Sequence, residues 1–398
     1  EANASRIEID GNHNLYIAGE FSGSINLDVT NVNGGLLPDI TTTNSEDGYI
    51  MKLDSAGNYQ WGHHVTVDGN IFFQGSDISS ATGRVGFTGF HTGNLLSFVV
   101  GGADDISNFT NANRKTYTVI LDTAGNWIAS NNMSITNTNS QPVNSGIAFD
   151  DNDGSYAVAG YNNLNGLQID DTNLFLSNAG GFVVKYDANG NGVWLRETGS
   201  GRALDVDFDD EGNLYTSGWL DGAPFAGFAF GADAFGNPVD YNTTGNSASG
   251  IGLHAYWAMM DKYGNPMWAE FVGGEDMRAS NIVFTDNGHL AVSGEYNASF
   301  DAYQLNGIPY TNNVATYNFL LNYTQPDCFG VGFDTELIDS LLCEGSNFSY
   351  TVDVSYDSAS TTYEWIDLDT GNPVPGQASN TFDITGAVEA DGGFFQLT

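Results

Sequence analysis

The sequence predicts an all-β protein: a β-propeller of at least five four-stranded blades, followed by an immunoglobulin-like β-sandwich that is incomplete at the C-terminus. Three observations predict this fold. A motif recurs four times in full and once in part, short strand-like runs end in Gly, Asn and Asp turns, and no long segment has helical periodicity. The 398 residues also exceed one ordinary hydrophobic core, so an array and a second domain are expected.

The recurring motif contains an aromatic residue, an apolar run, an Asp, a Gly-Asn pair and usually a Trp. It predicts an alternating strand, a tight turn and a second strand with a packing aromatic. In the second copy Ala129 holds the place of the Trp, and Trp127 lies two residues earlier on the same face. The fifth copy, YNFLLN, keeps only the first half. The repeated positions are Asp54, Asp122, Asp187 and Asp261, with Trp61, Trp127, Trp194 and Trp268.

Each repeat has the same order: a strand, an acidic turn, a strand ending in Gly, a variable segment and then the motif. Four antiparallel strands per repeat predict one propeller blade. The repeats exceed a minimal blade of roughly 40–45 residues, and the surplus forms insertions between the second and third strands, where binding residues are expected. The predicted propeller is 1–326, with repeats at about 6–65, 78–133, 145–198, 203–272 and 279–323.

The two ends of the array are incomplete in the sequence. The fifth repeat stops before its last strand, and the first has no strand before Arg6, so a closing strand or further blades are expected upstream of Glu1. The pattern changes after residue 326, and alternating runs around Phe348 and Trp365 predict the sandwich over 327–398. Its last strand is missing, so the chain is expected to continue.

The formal net charge of −39, from 10 basic and 49 acidic residues, excludes two classes of partner. Nucleic acid and anionic lipid both need clustered cations that this composition does not supply. The acidity fits a solvated surface or cation binding. No apolar run has transmembrane length, and no signal peptide or initiator Met is present, as expected for a mature or partial product.

The repeats resemble those of secreted Bacteroidetes surface proteins, the SBBP-type repeat, whose pattern is D-x-x-G-N-x-Y-V-x-G followed by A-K-L-D-x-x-G-N-x-x-W. The segments GNHNLYIAGEF and YIMKLDSAGNYQW carry the resemblance in the first repeat, and it extends over about 6–323. The tail, with CEGSNFSYTVDV, resembles the immunoglobulin-like modules of gliding-motility-associated and adhesin-like proteins. The resemblance implies type IX secretion and a place on the outer cell surface.

Two modifications follow as expectations. Cys328 and Cys343 are the two cysteines, and one disulfide between them suits an oxidising exterior; its short loop would contribute about 3 kcal/mol. Bacteroidetes O-glycosylation resembles a D-[ST]-[ALVIMT] rule. That rule selects Ser55, Thr123, Ser340 and Ser358.

One turn matches the start of a calcium loop. Asp187, Asn189 and Asn191 follow the D-x-[DN]-x-[DN]-G pattern, but position twelve is Thr198 instead of Glu. A hairpin turn is the competing interpretation, since the other motif copies lack the extra oxygen ligands. Calcium is therefore the single candidate cofactor. Asp205, Asp207 and Asp209 share one strand face, which either holds a cation or is solvated.

Nothing in the sequence predicts catalysis. There is no G-x-S-x-G, H-E-x-x-H or phosphate loop, and His63 and His64 point to opposite strand faces. The expected function is a non-enzymatic extracellular adhesin, filament subunit or scaffold that binds cell-surface proteins or extracellular glycans through its insertions. Two alternatives stay open: a calcium-stabilised stalk, or a carbohydrate-binding or glycan-hydrolysing propeller. The sugar platform would be Phe225, Phe228 and Phe230.

Overall fold

A computed structural model divides the chain into two compact units, Glu1–Thr324 and Gln325–Thr398. No helix in the described part of the chain is long and apolar enough to cross a membrane. The described residues are 1–27, 39–42, 46–93, 96–99, 114–135, 141–163, 167–169, 175–176, 179–221, 228–232, 238–241, 253–272, 277–285, 289–296, 303–305, 308–310, 317–324, 348–351, 365–367, 372–374, 381–384 and 395–397.

All regular structure described in the first unit is β-strand. The first repeat contains β1 (Ala2–Ile9), β2 (Leu15–Phe21), β3 (Ser24–Ile25), β4 (Ile40–Thr41), β5 (Asp47–Leu53) and β6 (Tyr59–Val67). The second contains β7 (Ile71–Ser79), β8 (Arg84–His91), β9 (Leu96–Val99), β10 (Lys115–Asp122) and β11 (Trp127–Ile135). The third contains β12 (Val143–Phe149), β13 (Tyr156–Asn162), β14 (Leu167–Ile169), β15 (Phe175–Leu176), β16 (Gly180–Tyr186) and β17 (Gly192–Gly199).

The last two repeats follow the same order. The fourth contains β18 (Gly201–Phe208), β19 (Leu214–Asp221), β20 (Phe228–Ala232), β21 (Pro238–Tyr241), β22 (Leu253–Met260) and β23 (Pro266–Val272). The fifth contains β24 (Met277–Thr285), β25 (His289–Tyr296), β26 (Tyr303–Leu305), β27 (Ile308–Tyr310) and β28 (Tyr317–Thr324).

Each repeat forms its own antiparallel sheet, which we number 1 to 5 in chain order. Sheets 3 and 4 have four strands, β12-β13-β16-β17 and β18-β19-β22-β23. Sheets 1 and 2 contain the same four-stranded core, β1-β2-β5-β6 and β7-β8-β10-β11. The described part of sheet 5 has three strands, β24-β25-β28. The repeat pattern thus predicts the sheet order, whereas ring closure and the number of blades stay predictions.

Consecutive sheets pack face to face, and four hydrophobic clusters join them. Tyr16 and Ile50 of sheet 1 pack with Phe73 of sheet 2, and Ile120 of sheet 2 with Phe149 of sheet 3. Trp194 of sheet 3 meets Phe208 of sheet 4, and Trp257 of sheet 4 meets Ile282 of sheet 5. Because sheets 2, 3 and 4 bury both faces, their strands are apolar on both sides, unlike the half-solvated strands of a single sheet.

The first strand of every sheet, which we call the inner strand, carries a β-bulge at the same position. The extra residues are Ser5, Gln74, Ser145, Leu204 and Ser280. Opposite each bulge lies a glycine of the second strand, which continues two or three residues beyond it and does not end there as the sequence predicts: Gly19, Gly89, Gly160, Gly218 and Gly294.

The glycines are required because the bulged strand comes too close for a side chain. A Cβ on Gly89 would lie 1.9 Å from the carbonyl oxygen of Phe72, and one on Gly294 would lie 2.0 Å from that of Arg278. The equivalent distances at the other three glycines are 1.9, 2.4 and 1.9 Å. An aromatic ring of the third strand covers several of these glycines; Phe182, for example, lies 2.5 Å from such a Cβ on Gly160.

The strand pairing differs from the sequence prediction in two places. The inner strand of the second repeat begins at Ile71, ahead of the expected residue 78, because the extra Gln74 interrupts its alternation. In the fifth repeat Phe319 pairs with Gly294, so Phe319 and not Tyr317 corresponds to the aromatic of the other copies. The apolar run of the fifth repeat is therefore displaced by two residues relative to the other copies. A two-residue displacement keeps the same side chains on the same face of the strand, so the alternation in the sequence does not reveal it.

Two insertions extend the sheet that precedes their own. Strand β9 of the second repeat pairs with β6 at the outer edge of sheet 1, and β14 of the third repeat pairs with β11 of sheet 2. An unpaired edge strand invites aggregation, so these strands protect the edge while linking neighbouring repeats. Part of each insertion is therefore structural.

Sheets 1 and 5 each expose apolar side chains at positions that are buried wherever two described sheets pack together. Ile7 is 54% exposed, whereas Ile147 and Val206 at the same register in β12 and β18 are 3% exposed. Leu320 is 74% exposed, and its counterpart Trp257 is fully buried. No described sheet packs on these positions, and the expected closing strand stays a prediction.

The second unit is described through five short strands: β29 (Phe348–Thr351), β30 (Trp365–Asp367), β31 (Asn372–Pro373), β32 (Thr381–Ile384) and β33 (Phe395–Leu397). They form two sheets, β29-β32 and β31-β30-β33, and Trp365 pairs with Leu397. The unit is antiparallel β, and the finer immunoglobulin-like assignment stays a prediction.

We expect Gly89→Ala to lower the free energy of unfolding by about 2–3 kcal/mol, because the new methyl group must displace the Phe72 carbonyl. Gly57→Ala is the control: Gly57 has a φ of 83°, but nothing lies within 4 Å of the place a methyl group would take, so only the backbone penalty of about 1 kcal/mol applies. Urea unfolding followed by tryptophan fluorescence measures both, and an equal loss in the two variants would contradict the close-approach explanation.

Candidate functional site

The repeats give the first unit two different ends. The tight turns after the first and third strands lie at one end, which we call the turn end. The insertions lie at the opposite end, the insertion end, because antiparallel strands return the chain there. Contacts such as Trp61 Nε1 to Thr123 O at 3.2 Å and Trp194 Nε1 to Lys262 O at 3.3 Å join neighbouring turns, so the turn ends of adjacent sheets coincide.

The repeated Asp organises each turn by accepting hydrogen bonds. Asp54 Oδ1 accepts the backbone N–H groups of Ala56 and Asn58 at 2.9 and 2.8 Å, and its Oδ2 accepts the Asn58 side-chain amide at 2.9 Å. The Asn58 side chain and backbone lower the pKa of Asp54 below its usual value. The same three bonds form at Asp122, Asp187 and Asp261, so the motif encodes a rigid turn.

The calcium candidate lies within this turn. Asp187 accepts the N–H groups of Asn189 and Asn191 at 2.8 Å, and the Asn191 amide donates to it at 2.7 Å. Burial acts to raise the pKa of Asp187, but the hydrogen bonds from Asn191 outweigh it and lower the pKa. A calcium ion would have to replace these donors, and the described residues contain no group of three or more His, Cys, Asp and Glu placed for a metal. Calcium here stays a prediction.

The motif also joins each sheet to the next. Trp61 and Trp194 lie against Gly125 and Gly264, where a Cβ would be 2.8 and 2.7 Å from the indole ring. The residue two positions after the Trp reaches the carbonyl of the same glycine: His63 to Gly125 at 2.9 Å, and Arg196 to Gly264 at 2.6 Å.

In the second repeat, where Ala129 replaces the Trp, a smaller contact takes its place. The Ala129 methyl lies 2.9 Å from the Cβ that Gly190 would carry, and the Asn131 amide donates to the Gly190 carbonyl at 2.7 Å. Trp127 pairs with Leu121, the position of Tyr59 in the first repeat. Side-chain packing is not described for Trp268.

All five inner strands line a central cavity of about 710 Å³. The bulge turns one residue of each strand toward it, so every bulge residue contributes to the lining. The cavity extends to the insertion end, where Phe90, Arg114, Tyr161 and Arg202 line it. Phe90 and Tyr161 directly follow the repeated glycines, and Trp219 has the same position in sheet 4.

Arginines and aromatic rings alternate at this end of the cavity. The Cζ atom of Arg202 lies 3.9 Å from the Tyr161 ring centroid and 5.1 Å from that of Trp219. Arg114 lies 4.7 Å from the Phe90 ring. Such contacts hold a guanidinium in place at little cost in hydration.

Arg6 has a different role, because it links sheets 1 and 2. It donates to the backbone carbonyls of Ser5 and Gln74. Burial lowers the pKa of Arg6, and the nearby Glu20 carboxylate opposes that shift. Glu20 itself accepts the N–H of Phe73 at 3.0 Å. Arg6, Ser5 and Gln74 therefore form part of the cavity wall where sheets 1 and 2 meet.

Carboxylates of the inner strands accept hydrogen bonds from backbone N–H groups of the next sheet. Asp77 accepts the N–H of Phe149 at 2.7 Å, and Asp207 accepts that of Phe284 at 2.6 Å. Asp205 accepts the N–H of Ile282 at 3.0 Å. The expectation of a solvated or cation-binding face is wrong for Asp205 and Asp207, because the neighbouring inner strand supplies their donors.

Burial raises the pKa of these three groups, to about 8 for Asp77, about 7 for Asp205 and about 6 for Asp207. The backbone N–H groups that donate to these carboxylates lower the pKa, but by less than burial raises it. Asp205 also lines the cavity, as does Glu8, whose pKa burial raises. With a pKa of about 7, Asp205 carries only part of a negative charge near neutral pH.

The candidate glycosylation sites differ in access. Ser55 is exposed on its turn, whereas Thr123 is partly buried and its side chain hydrogen-bonds to Tyr16. Four predicted residues lie outside the described part of the chain: Ser340, Ser358, Cys328 and Cys343.

The comparisons with known proteins give a distant structural likeness only. No family model matches the chain, and no curated protein matches it significantly. A solved structure described as "Structure of Dos1 propeller" aligns with 73% of this chain and 89% of that chain, with 10% sequence identity and a TM-score of 0.22. The architecture of this chain therefore rests on its own strand pairing and packing.

We expect Asp77→Asn to flatten the dependence of stability on pH. A carboxylate whose pKa rises from 3.8 in the unfolded chain to about 8 in the folded protein favours folding at low pH, and this contribution is lost between about pH 4 and pH 8. The slope is at most about 1.4 kcal/mol per pH unit. The variant should melt at a higher temperature than the parent at pH 8 and close to it at pH 4.

Thermal melts at pH 4, 6 and 8 measure this effect. Asp54→Asn is the control with the opposite sign: its lowered pKa stabilises the fold above pH 3.8, and this contribution disappears as the pH falls through the folded pKa. A lower melting temperature for Asp77→Asn at pH 8 would contradict the assignment.

We expect O-glycosylation of Ser55 in preference to Thr123, because the transferase needs an accessible hydroxyl and only that of Ser55 is exposed. Peptide mass mapping of protein purified from its native host measures occupancy at both sites, with Ser55→Ala as the control. Modification of Thr123 alone would show that accessibility does not select the site.

Proposed function

We propose that this chain is a non-enzymatic extracellular surface protein, an adhesin, filament subunit or scaffold, that binds its partner through the insertion end. The observation that carries the proposal is the difference between the two ends. The turn end repeats one rigid hydrogen-bonded turn, whereas the insertions differ in length and sequence from repeat to repeat. Variable segments on a repeated scaffold are where binding specificity is usually found.

The sequence resemblance supports the finer parts of the proposal. The SBBP-type pattern and the tail support a closed propeller with immunoglobulin-like modules, a Bacteroidetes origin and export by the type IX system. The net charge of −39 supports partners other than nucleic acid. The strand pairing of β9 and β14 narrows the binding region to insertion residues beyond these strands.

Carbohydrate binding is the second candidate, and the polar central cavity favours it. The sugar platform expected from Phe225, Phe228 and Phe230 does not contribute to this argument, since these side chains lie outside the described part of the chain. Hydrolysis receives no support, because the carboxylates Asp77 and Asp207 are engaged between sheets.

We expect replacement of residues 101–113 by a Gly-Ser segment of equal length to reduce capture of bacterial cells by beads coated with the full chain. The replacement leaves β9 and β10 intact, so the melting temperature should change little. Tyr263→Ala is the control, because Tyr263 is 67% exposed at the turn end. Equal capture by parent and replacement, or a loss with Tyr263→Ala, would contradict binding through this insertion. A glycan array run in parallel identifies sugar partners.

A further inference from the structure

We infer that the central cavity is a binding site for an acidic sugar, a short saccharide whose carboxylate pairs with Arg114 and Arg202. This inference goes beyond the proposed function, because the site is built on the inner strands, on the aromatic residues after the repeated glycines and on Arg114, the last residue before β10. It does not require the rest of the insertions. It would operate whether the protein is an adhesin, a filament subunit or a scaffold.

The first argument is the distribution of positive charge. The chain has only 10 basic residues and a net charge of −39, yet Arg6, Arg114 and Arg202 all line this one cavity. The carboxylates of Glu20, Asp205 and Glu8 act electrostatically on Arg6, but none of the three arginines has an ion pair within 4.0 Å among the described residues. Among the described residues, the three ion pairs within 4.0 Å involve His64, Lys185 and Arg278 instead.

The second argument is the way the two arginines are held. Arg202 lies against Tyr161 and Trp219, and Arg114 against Phe90. A ring supports the face of a guanidinium, so the N–H groups around its edge stay available to an oxyanion. Arg6 does not supply a comparable group, because it donates to two backbone carbonyls. Two preorganised guanidinium groups therefore face the same cavity.

The third argument is the rest of the lining, which suits a sugar. The bulges contribute hydroxyl and amide groups, including Ser5, Gln74, Ser145 and Ser280. These groups both donate and accept hydrogen bonds, as the hydroxyl groups of a saccharide do. The volume of about 710 Å³ lies within the usual range of ligand sites, roughly 300–1,000 Å³.

Charge also separates an acidic sugar from other ligands. A neutral sugar would form no charge-assisted hydrogen bonds with the two guanidinium groups, so it should bind more weakly than a sugar that carries a carboxylate. A long polyanion would meet the strongly negative surface outside the cavity. A short saccharide with one or two carboxylates satisfies the arginines without that repulsion.

Isothermal titration of the full chain with digalacturonate at constant ionic strength tests the site. We expect saturable binding, and the neutral disaccharide of the same linkage should bind at least about tenfold more weakly, because it lacks the charge-assisted hydrogen bonds. Equal affinity for the two disaccharides, tighter binding of a sulfated disaccharide, or no binding at millimolar ligand would overturn the proposal.

Variants locate the site within the chain. Arg202→Gln and Arg114→Gln should each weaken digalacturonate binding about tenfold or more, and Arg202→Lys should recover only part of the loss because lysine lacks the planar fork. Arg278→Gln is the matched control, since Arg278 also lies near Trp219 but pairs with Glu295 and does not line the cavity. Melting curves show that each variant is folded.

Two results would place the ligand elsewhere: unchanged affinity in the Arg114→Gln, Arg202→Gln double variant, or an equal loss in Arg278→Gln. The chain with residues 101–113 replaced separates this inference from the proposed function. If that chain loses cell capture but still binds digalacturonate, the cavity and the insertion act independently.

Discussion

The structure of the first unit depends on a steric constraint repeated five times. In every sheet the inner strand bulges, and its carbonyl comes so close to the second strand that only glycine fits opposite. The same bulge turns a residue of each inner strand toward the central cavity and contributes to its lining. The close contact between the first two strands and the shape of the cavity are therefore both consequences of the β-bulge. Bulges are common next to functional sites.

The opening motif has a complementary role at the turn end. Its Asp fixes the turn by accepting hydrogen bonds, and its glycine leaves room for the indole ring of Trp61 or Trp194, which belongs to the preceding sheet. The residues that look most like a site in the sequence are thus occupied in holding adjacent sheets together. The side chains that line the cavity lie on the inner strands and at the insertion end, at repeated positions whose residue types differ from sheet to sheet.

The sequence predicts the sheets well because alternation, turns and packing aromatics are local properties. It predicts the cavity poorly because the bulge residues, which include Ser, Gln and Leu, share no residue type. Asp205 and Asp207 resemble a solvated face in the sequence, and only the packing of β24 beside β18 shows their partners. The aromatic residues that follow the repeated glycines, such as Phe90 and Tyr161, are the local signal that could have indicated the site.

The strands that cross between repeats bear on how such an array can change in evolution. Since β9 and β14 complete the edges of the preceding sheets, removing a single repeat would uncover the outer strand of its neighbour. A duplication or deletion that keeps β6 and β11 covered must retain the insertion of the following repeat together with the sheet whose edge it completes. The segment that is duplicated or deleted as a unit then does not coincide with one sheet. Recombination boundaries should fall within a repeat, between the second and third strands of its sheet.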